Sequence, residues 1–292
     1  MENRMEEERK SNGKSRMKRI ARFVFACSFL VGFAILIYPY VADQWNTWRQ
    51  HKLITTYQQA VQTAEEADLS EQWEAALAYN EEHGPSDVYA DVFDGDTEEY
   101  EDSDYWQVLN LNGDGMMGYL SIPKINITLP IYHGTSSDVL REGVGHISGS
   151  QLPIGGEGNH AVLAAHRGLS TAKLFTDLNK LAEGDQFYLY ILDEVLAYEV
   201  DQILTIDKDD EEALSEAMAT VEGEDYVTLF TCTPYGVNSH RLLVRGHRID
   251  YVEEVTEQTV PEKVVQSVRT YYIFYLLAGL IVTACGVRML RT

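Results

Sequence analysis

Residues 226–248 read Tyr-Val-Thr-Leu-Phe-Thr-Cys-Thr-Pro-Tyr-Gly-Val-Asn-Ser-His-Arg-Leu-Leu-Val-Arg-Gly-His-Arg. The first six are rich in β-branched and aromatic side chains, which predicts a β-strand that leads into Cys232. Pro234 and Gly236 then predict a turn, and a second strand begins at Arg241. A thiol held at a strand end is partly exposed and rigid, which suits a nucleophile. A buried core thiol is the alternative.

Arg241 returns toward Cys232 if the two strands form a hairpin. A guanidinium beside a thiolate lowers the thiol pKa and stabilises a developing oxyanion. Arg245 lies four residues further along the same face of the strand. A solvated strand charge is the alternative reading of either arginine.

A second strand ending carries a histidine. The apolar run Ala161–Ala165 predicts a strand that leads into His166. A general base must lie within hydrogen-bond reach of its nucleophile in space, whatever their separation in sequence. From the residues alone, other histidines compete for this role: His133, His146, His160, His240 and His247.

The rest of the middle region predicts a mainly β domain, a barrel or a sandwich with short helices packed on it. The strand candidates are Met117–Ile122, Ile125–Leu129, Ala161–Ala165, Gln186–Leu192, Leu196–Ile206, Tyr226–Thr231 and Arg241–Val252. The helix candidates are Ser137–Glu142, Leu174–Leu181 and Glu211–Ala219, after a helical region at residues 44–83.

Several functional classes lack support. The chain has 46 acidic and 23 basic residues, an excess of negative charge that disfavours nucleic acid as a partner. No Cys-x-x-Cys or His-Glu-x-x-His pattern supports a metal site. Residues 155–158 are glycine-rich without the Lys-Ser/Thr of a phosphate loop, so they predict a turn. We therefore expect neither a metal nor another cofactor.

Two uncharged apolar runs predict membrane spans: the 19 residues Phe23–Val41 and the 17 residues Tyr271–Val287. Basic residues precede the first run and follow the second, which predicts that both termini are cytoplasmic and that residues 42–270 are extracellular. A cleaved signal peptide is the alternative for the first run. A buried helix is the alternative for the second.

Residues 228–232, Thr-Leu-Phe-Thr-Cys, resemble the Thr-Leu-x-Thr-Cys signature of the sortase family, and Arg241 matches the family's arginine nine residues later. Residues 160–169 resemble the strand that carries the sortase histidine, here His166. Residues 117–125, 129–135 and 231–235 are similar to class C, the pilin-polymerising sortases. The resemblance extends from about residue 105 to 250.

This resemblance implies an eight-stranded sortase β-barrel with an N-terminal helical extension and two flanking transmembrane helices. It implies Cys232 as nucleophile, His166 as general acid/base and Arg241 as oxyanion stabiliser, acting without a cofactor or metal. The enzyme would cleave a Leu-Pro-x-Thr-Gly (LPXTG) type sorting signal between Thr and Gly through a thioester. The acyl group would pass to a lysine amine of a pilin subunit. Attachment to a peptidoglycan precursor, plain peptide hydrolysis and a non-catalytic pilin-binding scaffold are the alternatives.

Class C sortases also carry a lid with an Asp-Pro-aromatic motif, and the matching residues here are Asp91-Val92-Phe93. The resemblance implies that Asp91 faces Arg241 and that Phe93 covers Cys232. Valine in place of proline leaves φ free and adds chain entropy, which predicts a looser lid. An ordinary acidic loop is the alternative.

Together these features predict eight segments along the chain. They are a basic N-terminus (1–22), a transmembrane helix (23–41), a helical extension (42–83), an acidic lid loop (84–104), the catalytic barrel (105–252), a linker (253–270), a second transmembrane helix (271–287) and a cytoplasmic tail (288–292).

Overall fold

The computed structural model describes residues 2–84, 92–93 and 104–252, with side chains from residue 16 onward. These residues fall into two units, 2–44 and 45–252. Helix α1 (Glu2–Thr63) begins in the first unit and ends in the second. The segment Arg16–Thr63 of α1 is long and apolar enough to cross a membrane, a property that an N-terminal signal sequence shares. The predicted second span, the linker and the C-terminal tail lie outside the described residues.

Eight strands in the described part of the chain close into a barrel, in the order β1-β2-β3-β4-β7-β8-β6-β5. Strands β2 and β3 pair in parallel, as do β4 and β7, and the other neighbours are antiparallel. The strands are β1 (Met116–Ile122), β2 (Ile127–His133), β3 (Val144–His146), β4 (Asn159–Ala164), β5 (Gln186–Ile191), β6 (Glu194–Asp207), β7 (Asp225–Thr233) and β8 (His240–Ile249). The predicted eight-stranded barrel is confirmed.

Strands β4 and β7 are buried on both faces along most of their length. On β7, Val227 and Leu229 belong to the large cluster that fills the barrel. Phe230 points the other way and packs with Val162 and Leu243 in a second cluster on the outer face. Side chains of a short helix, α4 (Glu211–Ala217), contribute to the outer cluster. Cys232 follows Phe230 by two residues and therefore lies on the same covered outer face of the barrel.

The short elements agree with the sequence in part. Helix α3 (Ser137–Glu142) has the predicted bounds and begins where the Ser136 hydroxyl accepts a hydrogen bond from the Val139 N–H. The helix predicted at Leu174–Leu181 is wrong, since only a 3-10 turn at Leu178–Lys180 forms after Leu174 adopts a positive φ. The prediction also missed β3, which has three residues and is too short to show an alternating pattern.

The helical extension is two helices, the end of α1 and α2 (Glu66–His83). Tyr57 on α1 is buried, and its hydroxyl donates to the Met117 carbonyl of β1 and accepts from the Leu192 N–H, each at 2.8 Å. The Asn80 side chain on α2 accepts from the Leu152 N–H at 2.8 Å. The Tyr57 and Asn80 hydrogen bonds therefore hold α1 and α2 against the barrel.

Replacing Tyr57 by Phe is expected to destabilise the protein by about 1–3 kcal/mol, because a buried carbonyl and a buried N–H lose their shared partner. Denaturant unfolding of the full chain in detergent micelles measures the change. Tyr119→Phe is the matched control, since Tyr119 is half-buried and its hydroxyl accepts a hydrogen bond from the Gln58 side chain rather than bridging two backbone groups. Equal losses in the two variants would contradict a special role for the Tyr57 bridge.

Candidate active site

The β7–β8 hairpin places Cys232 opposite Arg241. The two are Cα partners in the antiparallel ladder, which runs on to Thr233 and His240. Both side chains are enclosed, with Cys232 5% exposed and Arg241 1% exposed. The expected partial exposure of the thiol is therefore wrong for this structure, because the strand continues past Cys232 and its outer face is covered. A buried cation beside a thiol is the arrangement that favours thiolate.

His166 is brought alongside Cys232 by a different pairing. Strands β4 and β7 are parallel, and the last registered pair is Ala164 with Phe230. The ladder continues beyond it, because the Ala165 N–H donates to the Phe230 carbonyl at 3.2 Å and the Thr231 hydroxyl donates to the Ala165 carbonyl at 2.6 Å. Two residues on from the last pair, the same register sets His166 beside Cys232. Cys232 and Arg241 thus lie on the neighbouring strands β7 and β8, and His166 lies two residues after the end of β4, the strand on the other side of β7.

The guanidinium of Arg241 is held in place by loop carbonyls. Its Nη1 donates to the carbonyl oxygens of Asn238 at 2.9 Å and of His240 at 3.2 Å. Arg245, on the same face of β8, lies in a different environment. It forms a two-point ion pair with Asp201, at 3.1 and 2.7 Å, and stacks on Tyr226. Of the two arginines, Arg241 is the one that the hairpin aligns with the thiol.

The competing histidines have other surroundings. His133, His146 and His160 are buried, and their ring nitrogens contact backbone carbonyls or hydroxyls. Burial lowers the pKa of His146 and of His160 to about 4. His240 contacts the Ser239 hydroxyl, and His247 pairs across the sheet with Tyr226. None of these five occupies the register position beside Cys232.

The buried neutral histidines predict that the barrel loses stability in acid. A folded pKa of about 4, below the ordinary 6.5, means that the unfolded chain binds more protons as the pH falls between these values. Each ring is expected to cost about 3 kcal/mol by pH 4. Denaturant midpoints at pH 7 and pH 4 measure the loss. His160→Asn lacks the titrating ring, and a loss as large as the parent's would contradict this origin.

Two residues of the predicted lid motif Asp91-Val92-Phe93 are described, and one of them, Phe93, lies over the site. Phe93 is half-buried, and its ring centroid lies 5.5 Å from that of His166, 5.6 Å from that of Phe230 and 5.6 Å from Cζ of Arg241. Val92 is 5% exposed and packs in the outer apolar cluster. Asp91 lies outside the described residues, so its expected contact with Arg241 stays a prediction.

The cover over the site has an electrostatic consequence. Burial lowers the pKa of His166, and the positive charge of Arg141 on α3 lowers it further. The covered site thus favours a neutral imidazole. Sequence reasoning did not identify Arg141, Phe230 or Arg167 as neighbours of the site, because ordinary residue types at unremarkable spacings give no signal before the fold is known. Among the described residues, no group of three or more His, Cys, Asp or Glu side chains is placed to hold a metal.

Comparison with known proteins gives a consistent match. The family model described as the sortase domain matches residues 120–249. Sortase D of Bacillus subtilis is 35% identical over 136 residues, which are 45% of this chain and 63% of that protein. Sortase A of Bacillus anthracis is 30% identical over 131 residues, 45% of this chain and 59% of that protein. The chain thus spans somewhat less than two thirds of the length of these relatives.

Solved structures match over a longer stretch. Sortase C of Streptococcus pneumoniae is 43% identical with a TM-score of 0.63, covering 70% of this chain and all of that one. Sortase C1 of Streptococcus agalactiae is 44% identical with a TM-score of 0.60, covering 69% of this chain and all of that one. Identity at this level over the whole of a solved sortase, with the same closed barrel, places the chain in the sortase family of cysteine transpeptidases.

Proposed function

We propose that this protein is a membrane-anchored transpeptidase that joins pilin subunits through a Cys232 thioester. The observation that carries the proposal is the pairing of Cys232 with Arg241 across the β7–β8 ladder. The register of the parallel β4–β7 ladder, continued two residues past its last pair, brings His166 to Cys232. Nucleophile, acid/base and cation are the three groups that acyl transfer requires. Similar structures from Streptococcus are described as pilus-related or in terms of pilin substrate specificity, which supports the class C assignment.

In the first half-reaction, the Cys232 thiolate attacks the threonine carbonyl carbon of an LPXTG-type signal. The electron pair of the carbonyl moves to oxygen, and the guanidinium of Arg241 stabilises that oxyanion. When the oxyanion collapses, the carbon–nitrogen bond to glycine breaks. The imidazolium of His166 gives its proton to the departing amine. The products are a Thr–Cys232 thioester and a free glycine amine.

In the second half-reaction, an amine attacks the thioester carbon and expels the Cys232 thiolate. Neutral His166 accepts the proton that the attacking nitrogen releases, so the imidazolium is restored. The thioester retains the acyl-transfer free energy of the cleaved peptide bond, so formation of the new amide needs no external energy source. For a pilin polymerase the amine is a pilin lysine and the product an isopeptide bond. A peptidoglycan-precursor amine would make the protein an anchoring sortase, and water would make it a peptidase.

The apolar segment within α1 supports a membrane location. We propose residues 23–41 as the first span and residues 271–287 as the second, with both termini cytoplasmic and the barrel extracellular. The basic residues that flank each segment support this orientation.

We further propose that Phe93 and Asp91 form a lid that opens for substrate. With the lid closed, burial opposes the imidazolium that the acid step requires. Opening exposes the ring and lets the pKa of His166 return toward 6.5, so access and activation are coupled. Because His166 binds a proton less readily in the closed form, the closed form is expected to lose stability relative to the open form as the pH falls below about 6.5.

The full chain in detergent micelles and a fluorogenic Leu-Pro-x-Thr-Gly peptide test the proposal. Intact mass is expected to show a thioester adduct that is absent in Cys232→Ala. Pilin protein is then expected to convert the adduct to an amide through lysine. Conversion only by a peptidoglycan-like amine would favour the anchoring alternative, and release of free acid with amine present would favour a peptidase. An inert thiol with intact pilin binding would favour a scaffold.

Replacing Phe93 by Ala is expected to speed alkylation of Cys232 by about tenfold or more, since a contact of roughly 1.4 kcal/mol with the ring is lost. Site-resolved mass spectrometry measures the rate at Cys232. Leu77→Ala is the control, because Leu77 is an exposed apolar residue on α2. Equal rates in Phe93→Ala and the parent would remove Phe93 from the lid.

A further inference from the structure

Arg167 links the chain on both sides of the proposed catalytic pair. Its Nη1 donates to the Thr233 hydroxyl at 2.6 Å, and its Nε donates to the Thr176 carbonyl at 3.2 Å. Arg167 follows His166 in the sequence, and Thr233 follows Cys232. One side chain therefore connects the residue after the acid/base to the residue after the nucleophile.

The Arg167–Thr233 hydrogen bond lies just beyond the end of strand β4, where strand pairing no longer fixes the position of His166. Strand β4 ends at Ala164, and one residue further the Ala165 N–H still donates to the Phe230 carbonyl of β7 and the Ala165 carbonyl accepts from the Thr231 hydroxyl. Beyond them the chain enters a loop that leads to the 3-10 turn before β5. The Phe175 N–H closes this loop onto the His166 carbonyl at 3.1 Å. With the ladder ended, the Arg167 side chain is a contact that holds the start of this loop against β7.

We propose that Arg167 is a positioning residue that fixes the His166 ring relative to the Cys232 thiol. The inference rests on the proposed function for the identity of those two groups. A guanidinium suits the task because its donors form a rigid planar fork, and the Thr233 and Thr176 oxygens occupy two of its directions. A lysine in its place would be a flexible point charge that cannot reproduce both directions.

Charge and position can be separated at this site. The positive charge of Arg167 would itself favour a thiolate at Cys232, so loss of the arginine alone changes two things. Thr233→Val removes the hydroxyl that accepts the hydrogen bond, keeps the side-chain shape and leaves the charge in place. Lys173→Met is the matched control in the same loop, because Lys173 ties the loop to the Ile125 carbonyl and to Asp177 instead.

The experiment uses the full chain in detergent micelles with Phe93→Ala as the common background, so that the thiol is accessible. The alkylation rate at Cys232 is measured against pH with iodoacetamide, which requires no peptide substrate. Arg167→Ala and Thr233→Val are each expected to raise the pH midpoint by about one pH unit, since the imidazolium no longer lies beside the thiolate. The double variant is expected to match the larger single effect. Lys173→Met is expected to leave the midpoint unchanged.

Thioester formation with the sorting-signal peptide gives the second readout. A 1 Å displacement of a reacting group can cost about 100-fold in rate, and a loss of that order is expected for both variants. Arg167→Lys keeps the charge and is expected to lose rate as Thr233→Val does, which keeps the test decisive if Arg167→Ala does not fold.

An unchanged midpoint in Thr233→Val, or fully additive effects in the double variant, would overturn the positioning role. The two proposals can fail separately. Shifted midpoints in a protein that forms no peptide adduct would leave the positioning role standing and reject the reaction. A peptide adduct together with unshifted pH midpoints would support the proposed reaction and reject the positioning role of Arg167.

Discussion

Replacing Arg241 by Gln is expected to slow thioester formation by about 100- to 1,000-fold, the usual loss when one oxyanion donor is removed. Arg241 lies opposite Cys232 in the ladder and is 1% exposed, so its charge acts with little screening from water. The Asn238 and His240 carbonyls hold the guanidinium in advance, so little reorganisation is needed as negative charge develops. Single-turnover intact mass with the sorting-signal peptide measures the rate.

Arg245→Gln is the matched control for this prediction. Arg245 is on the same strand and face, but its two-point ion pair with Asp201 engages it elsewhere. Its loss is expected to lower stability while the rate per folded molecule stays near the parent value. Comparable rate losses in both variants would show that Arg241 acts by supporting the strand rather than by contact with the reacting carbonyl.

The sequence predicted the secondary structure correctly where the local residue preferences agree with the tertiary packing. The run before Cys232 is β-forming and ends in a Pro-Gly turn, and it becomes β7 of the hairpin. Helix α3 has the predicted bounds, and the structure shows that the Ser136 side chain caps its first turn. The helix predicted at Leu174–Leu181 is wrong although its apolar residues stand at helical spacing, because Leu174 adopts a positive φ that a right-handed helix does not allow, and only the 3-10 turn at Leu178–Lys180 follows.

The site was harder to predict because its geometry is set by register. The sequence separation of His166 and Cys232 does not indicate that they are close in space. Their proximity follows from the register of the β4–β7 ladder, in which each residue of β4 pairs with a residue of β7 at a constant difference in residue number. The motif resemblance named both residues without explaining why they meet. The sequence left the exposure of Cys232 open between a partly exposed strand-end thiol and a buried one, and the structure shows it buried.

The lid shows how one substitution can be compensated in packing. Val92 in place of proline predicts a looser segment from chain entropy alone. The structure shows that this side chain is 5% exposed and lies in the outer apolar cluster. Burying a valine contributes about 1.5–3 kcal/mol, more than the 0.4–1 kcal/mol that a well-placed proline typically gives through the unfolded state. In the proposed lid, the buried Val92 side chain would be an apolar anchor next to Phe93, so the entropy argument does not by itself decide how tightly the lid closes.

Replacing His166 by Ala is expected to slow thioester formation by about 100- to 10,000-fold, the range for loss of a general acid/base. The leaving group explains why the loss should be large. A glycine amine departs as a neutral molecule only if it gains a proton as the carbon–nitrogen bond breaks. Arg241 stabilises the oxyanion but supplies no proton, because arginine stays protonated in proteins. His166 is the group that the β4–β7 register sets beside the thiol to do so.

A depsipeptide with oxygen in place of the glycine nitrogen tests this reasoning directly. An alkoxide leaves with less need of a proton than an amine, so the ester substrate is expected to lose less rate than the amide in His166→Ala. His240→Gln is the control, since the His240 side chain is half-buried and contacts the Ser239 hydroxyl, and the substitution keeps the backbone carbonyl that accepts from Arg241. Equal losses for ester and amide would mean that His166 serves the thiolate rather than the leaving group. A smaller loss for the ester, with His240→Gln near the parent rate, would place the proton transfer at the His166 ring.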